Sequence, residues 1–197
     1  MNCERFQQQL AFIIEIDKAK QVFRNTILMD TSRKENDAEH SWHMAVAAML
    51  LVEYANEKDL DLLKVFKMAL LHDVVEIDAG DTFAYADVDR NEKAQKEKKA
   101  AARIFGILPP DQATEFLAIW DEYEDAGTPE AKYAKALDSL MPILHNYQTK
   151  GLQWQRLNVT RDKVLAKNAR VEGGSKLLWD YIKTIVDDAV EKGYLKP

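Results

Sequence analysis

The sequence predicts an all-α fold, and two observations support that prediction. Most of the 197 residues fall in stretches whose apolar positions recur with helical spacing, and no stretch alternates apolar and polar residues for long enough to indicate a sheet. The seven glycines and five prolines lie mostly between those stretches, where they separate one helix from the next. With 47% hydrophobic residues, the chain can bury one core, so residues 1 to 197 are expected to form a single domain.

The first two helices are predicted from their periodicity and from one start signal. A helix over about residues 4 to 24 has its apolar positions on one stripe suited to burial, formed by Phe6, Leu10, Ile13, Ile14 and Val22. A polar connector follows it. A second helix is expected over about residues 37 to 57, because Asn36 and Glu39 have the spacing of a capping box.

The later helices are bounded by proline, glycine and hydroxyl residues. A strongly apolar helix is expected over about residues 61 to 78, ended by Gly80 in a left-handed conformation. A charge-mixed, lysine-rich helix follows, and another begins at Asp111. Thr128 and Pro129 start a further helix, which Pro142 is expected to kink. Two last helices are predicted over about residues 161 to 171 and 175 to 192.

Composition excludes several classes of function. The net charge of -6 and the pI of about 5.3 leave no overall positive field to recruit nucleic acid or an anionic membrane. Cys3 is the single cysteine, which excludes an internal disulfide and thiolate zinc sites and fits a reducing cytoplasm. No apolar run approaches the roughly 18 to 20 residues that cross a bilayer. A cytoplasmic protein without a nucleic-acid or membrane partner is therefore expected.

Polar residues interrupt two apolar helices in a pattern that indicates a metal site. In "MALLHDVVEIDAGD", His72 and Asp73 project about 100° apart and can reach one ion, and Glu76 lies one turn further along. An unpaired carboxylate is costly to bury among apolar residues, and a divalent cation would neutralise it. Alternatively, His72 and Asp73 satisfy each other.

Two further helices carry similar residues. "AEHSWHMA" contributes His40 and His43 from nearly the same face, so either one can be the inward ligand. "AKYAKALDSLMPILHNY" contains an isolated acid, Asp138, among residues expected to pack. His145 follows Asp138 on the same face, but at about 10 Å along the axis it is too far away to be a co-ligand.

The order of these residues resembles that of the HD-domain metal-dependent phosphohydrolases, an all-helical superfamily. The stretches "RKENDAEHSWHMA", "LLHDVVEIDAGD" and "LPPDQATEFLAIWDEYEDAGTPEAKYAKALDSL" are similar to the branch that contains 5'-deoxynucleotidases, and the similarity runs from about residue 5 to residue 150. The resemblance implies an HD-domain helical bundle and a homodimer. It also implies about one divalent ion per chain, with Co, Mn, Zn, Fe and Mg all left open.

The resemblance assigns roles to individual residues. The implied metal ligands are His40, His72, Asp73 and Asp138. Glu76 would orient or deprotonate the attacking water, and Asp81 would act on the leaving sugar oxygen, unless it only caps the helix end. Arg24 and Arg33 are the best candidates to hold the phosphate because arginine can pair two oxygens at once, and the resemblance favours Arg24. His43 then becomes a supporting or packing residue.

The implied activity is the removal of phosphate from nucleoside 5'-monophosphates, with a preference for deoxyribose. Members of the family often have a lysine directly after the last metal-binding aspartate and a glutamate three positions after that aspartate, where this chain has Ser139 and Met141, so the substrate preference is open. One alternative is another HD-type enzyme, such as a nucleotide polyphosphate hydrolase or a diiron oxygenase, although the oxygenase needs more histidines than the four present. Another is a non-catalytic metal-binding regulatory module. Four tryptophans could stack on a base, but core packing is favoured for Trp42, Trp120, Trp154 and Trp179.

Overall fold

A computed structural model describes residues 3–82 and 89–197, and these residues are mainly helical. The first half contains α1 (Cys3–Ile16), β1 (Phe23–Ile27), β2 (Lys34–Asn36), α2 (Asp37–Leu51), α3 (Leu62–Leu71), α4 (Glu76–Ala79) and α5 (Arg90–Phe105). The second half contains α6 (Pro110–Asp125), α7 (Pro129–Gln148), α8 (Leu152–Arg156), α9 (Arg161–Asn168), α10 (Val171–Gly174) and α11 (Lys176–Glu191). The all-α prediction is confirmed. In the described ranges, no helix has the length and hydropathy needed to cross a bilayer.

The region after α1 differs from the prediction. The helix ends at Ile16, a 3₁₀ turn follows, and the chain then enters β1, which pairs antiparallel with β2. Arg24 therefore lies in a strand and not at a helix end. The two-stranded sheet was missed because its strands are only five and three residues long, too short to show an alternating pattern.

The predicted buried stripe of α1 is wrong. Phe12 faces the core, with its ring centroid 6.4 Å from that of Phe105 and 5.9 Å from that of Phe116. The predicted stripe is instead largely exposed, with exposed fractions of 58% for Phe6, 41% for Leu10, 59% for Ile13 and 72% for Ile14. Periodicity identifies an apolar face but cannot tell whether a neighbouring element covers it.

The core lies between α2, α3 and α7, which pack against one another. The capping box at the start of α2 is confirmed, since the Asn36 side chain accepts from the Glu39 backbone and the Glu39 side chain accepts from the Asn36 backbone. The helix ends at Leu51, earlier than predicted, and continues only as a 3₁₀ turn. This cap fixes the direction in which the first turn of α2 enters the core.

The predicted third helix is broken at its histidine. α3 ends at Leu71, and the backbone N–H of Glu76 donates to the Asp73 carbonyl at 2.9 Å. In an unbroken helix that N–H would bond the His72 carbonyl, which here accepts from the Trp120 indole Nε1 at 3.3 Å. Gly80 ends α4 with a φ of 77°, as predicted. The break places His72 and Asp73 at a helix end and Glu76 at a helix start.

α7 begins as predicted and carries the last predicted ligand. The Thr128 side chain caps it, Pro129 occupies its first turn, and the helix runs through Pro142 to Gln148. The predicted final helices also form, but the first of them is split into α9 and α10. α10 packs so closely on α7 that a Cβ on Gly174 would lie 2.3 Å from the Lys132 carbonyl oxygen. This close packing brings the start of α10 next to the middle of α7.

Candidate metal centre

Three of the predicted ligands, His72, Asp73 and Asp138, line a cavity of about 240 Å³, and the fourth, His40, contacts Asp138. His40 is completely buried, and its Nε2 lies 3.2 Å from Asp138 Oδ1 and 3.9 Å from Asp73 Oδ2. His72 Nε2 lies 3.1 Å from Asp73 Oδ2, and the two imidazole rings are 5.4 Å apart between centroids. Three separate helical regions therefore bring two imidazoles and two carboxylates to one point.

The hydrogen bonds of His72 leave a nitrogen lone pair directed at this point. Its Nδ1 lies 3.0 Å from the Ala69 carbonyl oxygen, and because a carbonyl can only accept, Nδ1 carries the proton. In the neutral ring, the form that would bind an ion, Nε2 is unprotonated, and it is buried without a hydrogen-bond partner among the described residues. In the metal-free site burial opposes protonation of the ring, but Asp73 outweighs it and raises the pKa of His72. A metal-binding histidine typically has its second nitrogen fixed by a backbone carbonyl in this way. The donor set therefore fits a divalent ion.

His40 has a comparable arrangement with a carboxylate behind it. Its Nδ1 faces Glu35 Oε2 at 3.7 Å, so the buried Glu35 lies on the side of the ring opposite Asp138. Burial raises the pKa of Glu35 to about 7. Burial also lowers the pKa of His40 to about 4, so the ring is neutral near pH 7, as a metal ligand must be.

The cluster holds more negative than positive charge. Arg24 reaches into it from β1 and donates from Nη1 to Asp73 Oδ2, with Asp37 Oδ1 at 3.7 Å and Asp138 Oδ1 at 3.9 Å from its nitrogens. Within residues 3–82 and 89–197, both carboxylate oxygens of Asp37 and Oε2 of Glu76 are buried without a hydrogen-bond partner. Unpaired buried carboxylates are costly, and a divalent cation would offset that cost.

The pKa values of these acids diverge because their partners differ. Burial alone would raise the pKa of Asp73, but the charges of His72 and Arg24 outweigh it and hold this pKa below its usual range. Burial and the Asp73 charge raise the pKa of Asp37 to about 8 and that of Glu76 to about 11. Carboxyl groups with raised pKa values beside an ionised carboxylate indicate a site that added positive charge would stabilise.

Asp138 has two partners that sequence reasoning missed. Its Oδ2 accepts from the Tyr123 hydroxyl at 3.1 Å and from Arg170 Nη2 at 3.4 Å. Arg170 also donates from Nε to Ser139 Oγ at 3.1 Å. The side chain of Ser139 thus contacts an arginine supplied by the start of α10. This contact depends on the packing of α10 on α7, so no local pattern could reveal it.

The remaining predicted residues fall both inside and outside the cavity. Glu76, Asp81 and Arg24 line it. Arg33 does not: it is exposed and bonds the Glu39 carboxylate at 2.5 and 2.9 Å, so the geometry argues against a phosphate-binding role. His145 lies behind the cavity wall near Glu35, consistent with its exclusion as a co-ligand.

Of the four tryptophans, two line the cavity and two do not. Trp120 and Trp154 are 3% and 2% exposed, and their small exposed surfaces line the cavity beside the amide side chains of Asn146 and Gln153. Trp179 is buried in the core, as favoured. Trp42 is 65% exposed, so the core packing favoured for it is wrong. Its position on the outer side of α2, away from α3 and α7, explains the exposure.

Comparison with known proteins adds to this geometry. A family model described as HD domain matches residues 16–179. The human 5'-deoxynucleotidase HDDC2 is 30% identical over 145 residues, which are 73% of this chain and 69% of that protein. The Dictyostelium discoideum 5'-deoxynucleotidase HDDC2 is 36% identical over 118 residues, 58% of this chain and 62% of that protein. A solved structure, a predicted metal-dependent phosphohydrolase from Magnetospirillum magnetotacticum MS-1, is 51% identical with a TM-score of 0.94, covering 98% of this chain and 97% of that one.

Proposed function

This chain belongs to the HD-domain family, and from that membership we propose that it removes phosphate from nucleoside 5'-monophosphates, with deoxyribose preferred. The main support is the convergence of two buried imidazoles and two carboxylates beside a cavity of about 240 Å³. The similarity to proteins named 5'-deoxynucleotidases supports the substrate class. The single HD-type domain over residues 1 to 197 is part of the same proposal.

The proposed ligands are His40, His72, Asp73 and Asp138. Their mixture of imidazole and carboxylate suits Mn²⁺, Fe²⁺, Co²⁺ or Zn²⁺ better than Mg²⁺, which prefers oxygen ligands throughout. When bound, such an ion lowers the pKa of a water molecule and neutralises phosphate oxygens. The protein contributes the fixed positions of the four donors and the exclusion of bulk water from the buried imidazoles.

Two guanidinium groups are placed to bind the phosphate. Arg24 lines the cavity next to Asp73, and a guanidinium can pair two phosphate oxygens at once. Arg170 lines the cavity on the side of Asp138, and its side chain is 45% exposed, so it has N–H groups to offer a ligand. We therefore propose Arg170, and no longer Arg33, as the second phosphate-binding residue.

The two acids after the ligand pair complete the proposed site. Glu76 Oε2 has no hydrogen-bond partner among the residues that the structure describes, and it can accept from a water molecule that attacks the phosphorus. Asp81 lines the same cavity, and burial raises its pKa, so it can hold a proton for the leaving sugar oxygen. Gln153 also lines the cavity, and while its amide nitrogen donates to the Asn25 carbonyl, its amide oxygen can accept from the nucleoside.

A substrate panel tests this function. Purified protein supplied with Mn²⁺ or Co²⁺ is expected to release phosphate from deoxynucleoside 5'-monophosphates faster than from ribonucleoside 5'-monophosphates or from 3'-monophosphates. Phosphate release should be measured for each nucleotide and for a generic aryl phosphate. Turnover of a nucleoside triphosphate alone would favour a polyphosphate hydrolase, and a bound ion without turnover of any nucleotide would favour a regulatory module.

We also propose that the protein is a cytoplasmic homodimer. The exposed apolar residues of α1, namely Phe6, Leu10, Ile13 and Ile14, support the dimer because exposed apolar surfaces of this kind often bind another protein. The single exposed Cys3 is compatible with a reducing compartment.

A further inference from the structure

A second pair of histidines lies outside the proposed ligand set. The rings of His43 and His145 are 5.6 Å apart between centroids and meet nearly edge to face. The two rings of the candidate metal centre, His40 and His72, are 5.4 Å apart in a similar arrangement. The four histidines of the chain therefore form two pairs of similar geometry.

In the second pair, a carboxylate faces a ring nitrogen that cannot donate to it. His145 Nδ1 lies 2.9 Å from the Met141 carbonyl oxygen, so Nδ1 carries the proton and Nε2 carries the lone pair. That Nε2 lies 3.5 Å from Glu35 Oε1. Two acceptors facing each other repel unless a proton or a cation lies between them.

Glu35 lacks a dedicated positive partner. It is 2% exposed, and no residue in the described part of the chain forms a hydrogen bond with its Oε2. The nearby guanidinium of Arg24 lies 3.6 Å away through Nε, while its Nη1 already bonds Asp73. A buried carboxylate in this position is stabilised by a cation that coordinates it directly.

We propose that Glu35, His43 and His145 bind a second divalent transition-metal ion. One donor atom from each residue can be chosen so that all three lie within 4.8 Å of one another. Two imidazoles and one carboxylate form a donor set that Zn²⁺ commonly uses, with a further position open to water. Glu35 and His145 are buried while His43 is only half-buried, so the ion enters from the His43 side.

This second ion would support the first site without being part of it. Glu35 Oε2 faces His40 Nδ1 at 3.7 Å, so an ion that fixes the Glu35 carboxylate also holds the His40 ring in place. The proposal does not depend on the identity of the substrate.

Metal counting on tag-free, full-length protein tests the second site. Metal-stripped protein is loaded with Zn²⁺, passed through a desalting column and analysed for bound metal. The parent is expected to hold two ions per chain, whereas His145→Leu and Asp73→Ala each hold one and the double variant holds none. His43→Asn, at a half-buried position, should also hold one ion, which covers the case that His145→Leu does not fold.

The outcomes separate this proposal from the proposed function. If the parent holds one ion that His145→Leu and His43→Asn retain, the cluster binds only a proton and the proposal is wrong. If Asp73→Ala keeps one ion while losing turnover, the second site is supported independently of catalysis. Loading with Co²⁺ adds a spectroscopic readout, since the visible absorption of the second ion should disappear in His43→Asn and persist in Asp73→Ala.

Discussion

Replacing Asp73 with alanine is expected to remove the ion of the candidate metal centre and the hydrolytic activity together. Oδ2 of Asp73 lies 3.1 Å from His72 Nε2 and 3.9 Å from His40 Nε2, so its negative charge faces both imidazoles. Without that charge the remaining donors hold a divalent ion less tightly. Because such an ion contributes several kcal/mol to transition-state stabilisation, turnover should fall by roughly 10³-fold or more.

Asp78→Ala is a matched control for this experiment. Asp78 lies on α4, close in sequence, but it is exposed and pairs with Arg103 outside the cavity. Bound metal by elemental analysis and phosphate release should be measured for both variants, and the control should match the parent. Parental metal content and turnover in Asp73→Ala would mean that the centre lies elsewhere.

Replacing Glu76 with alanine is expected to keep the ion and lower turnover by about 10²- to 10⁴-fold, the range typical for loss of a general base. Glu76 is not needed to complete the proposed ligand set, but its buried Oε2 has no other partner. Its pKa of about 11 means that it holds a proton until positive charge arrives nearby. A bound cation would lower that pKa, so Glu76 would be expected to act as a base only in the metal-loaded protein.

Metal content, nucleotide binding and turnover together distinguish the roles of these two acids. The Glu76 variant should bind both the ion and the nucleotide, whereas the Asp73 variant should lose the ion. Parental turnover after Glu76→Ala would remove its catalytic role while leaving the metal site intact. Loss of the ion would instead make Glu76 a ligand, which is geometrically feasible because it also groups with Asp37 and Asp73.

Features that depend on neighbouring residues in the sequence were predictable. The capping box of Asn36 and Glu39 and the start of α7 at Thr128 and Pro129 are set by local hydrogen bonds and by the fixed φ of proline. The left-handed Gly80 belongs to the same class. Local chemistry of this kind is readable from residue order alone.

Features that depend on distant partners were not predictable. At the break near His72, the backbone carbonyl of His72 accepts a hydrogen bond from the indole of Trp120, which lies 48 residues away in the sequence. The Arg170 contact with Asp138 likewise spans 32 residues. The exposed stripe of α1 has the periodicity of a buried face, but none of the elements in the described part of the chain covers it, and only the packing of the chain determines this.

The hydrogen bond between Arg24 and Asp73 implies that the ion would bind before the phosphate. Arg24 and a bound ion would compete for the same carboxylate oxygen of Asp73, so an ion held there would free guanidinium N–H groups for the phosphate. Ion and phosphate would then be expected to strengthen each other's binding, by the same factor through thermodynamic linkage. Calorimetric titration of phosphate into metal-free and metal-loaded protein measures that factor, and equal affinities would show that the two ligands bind independently.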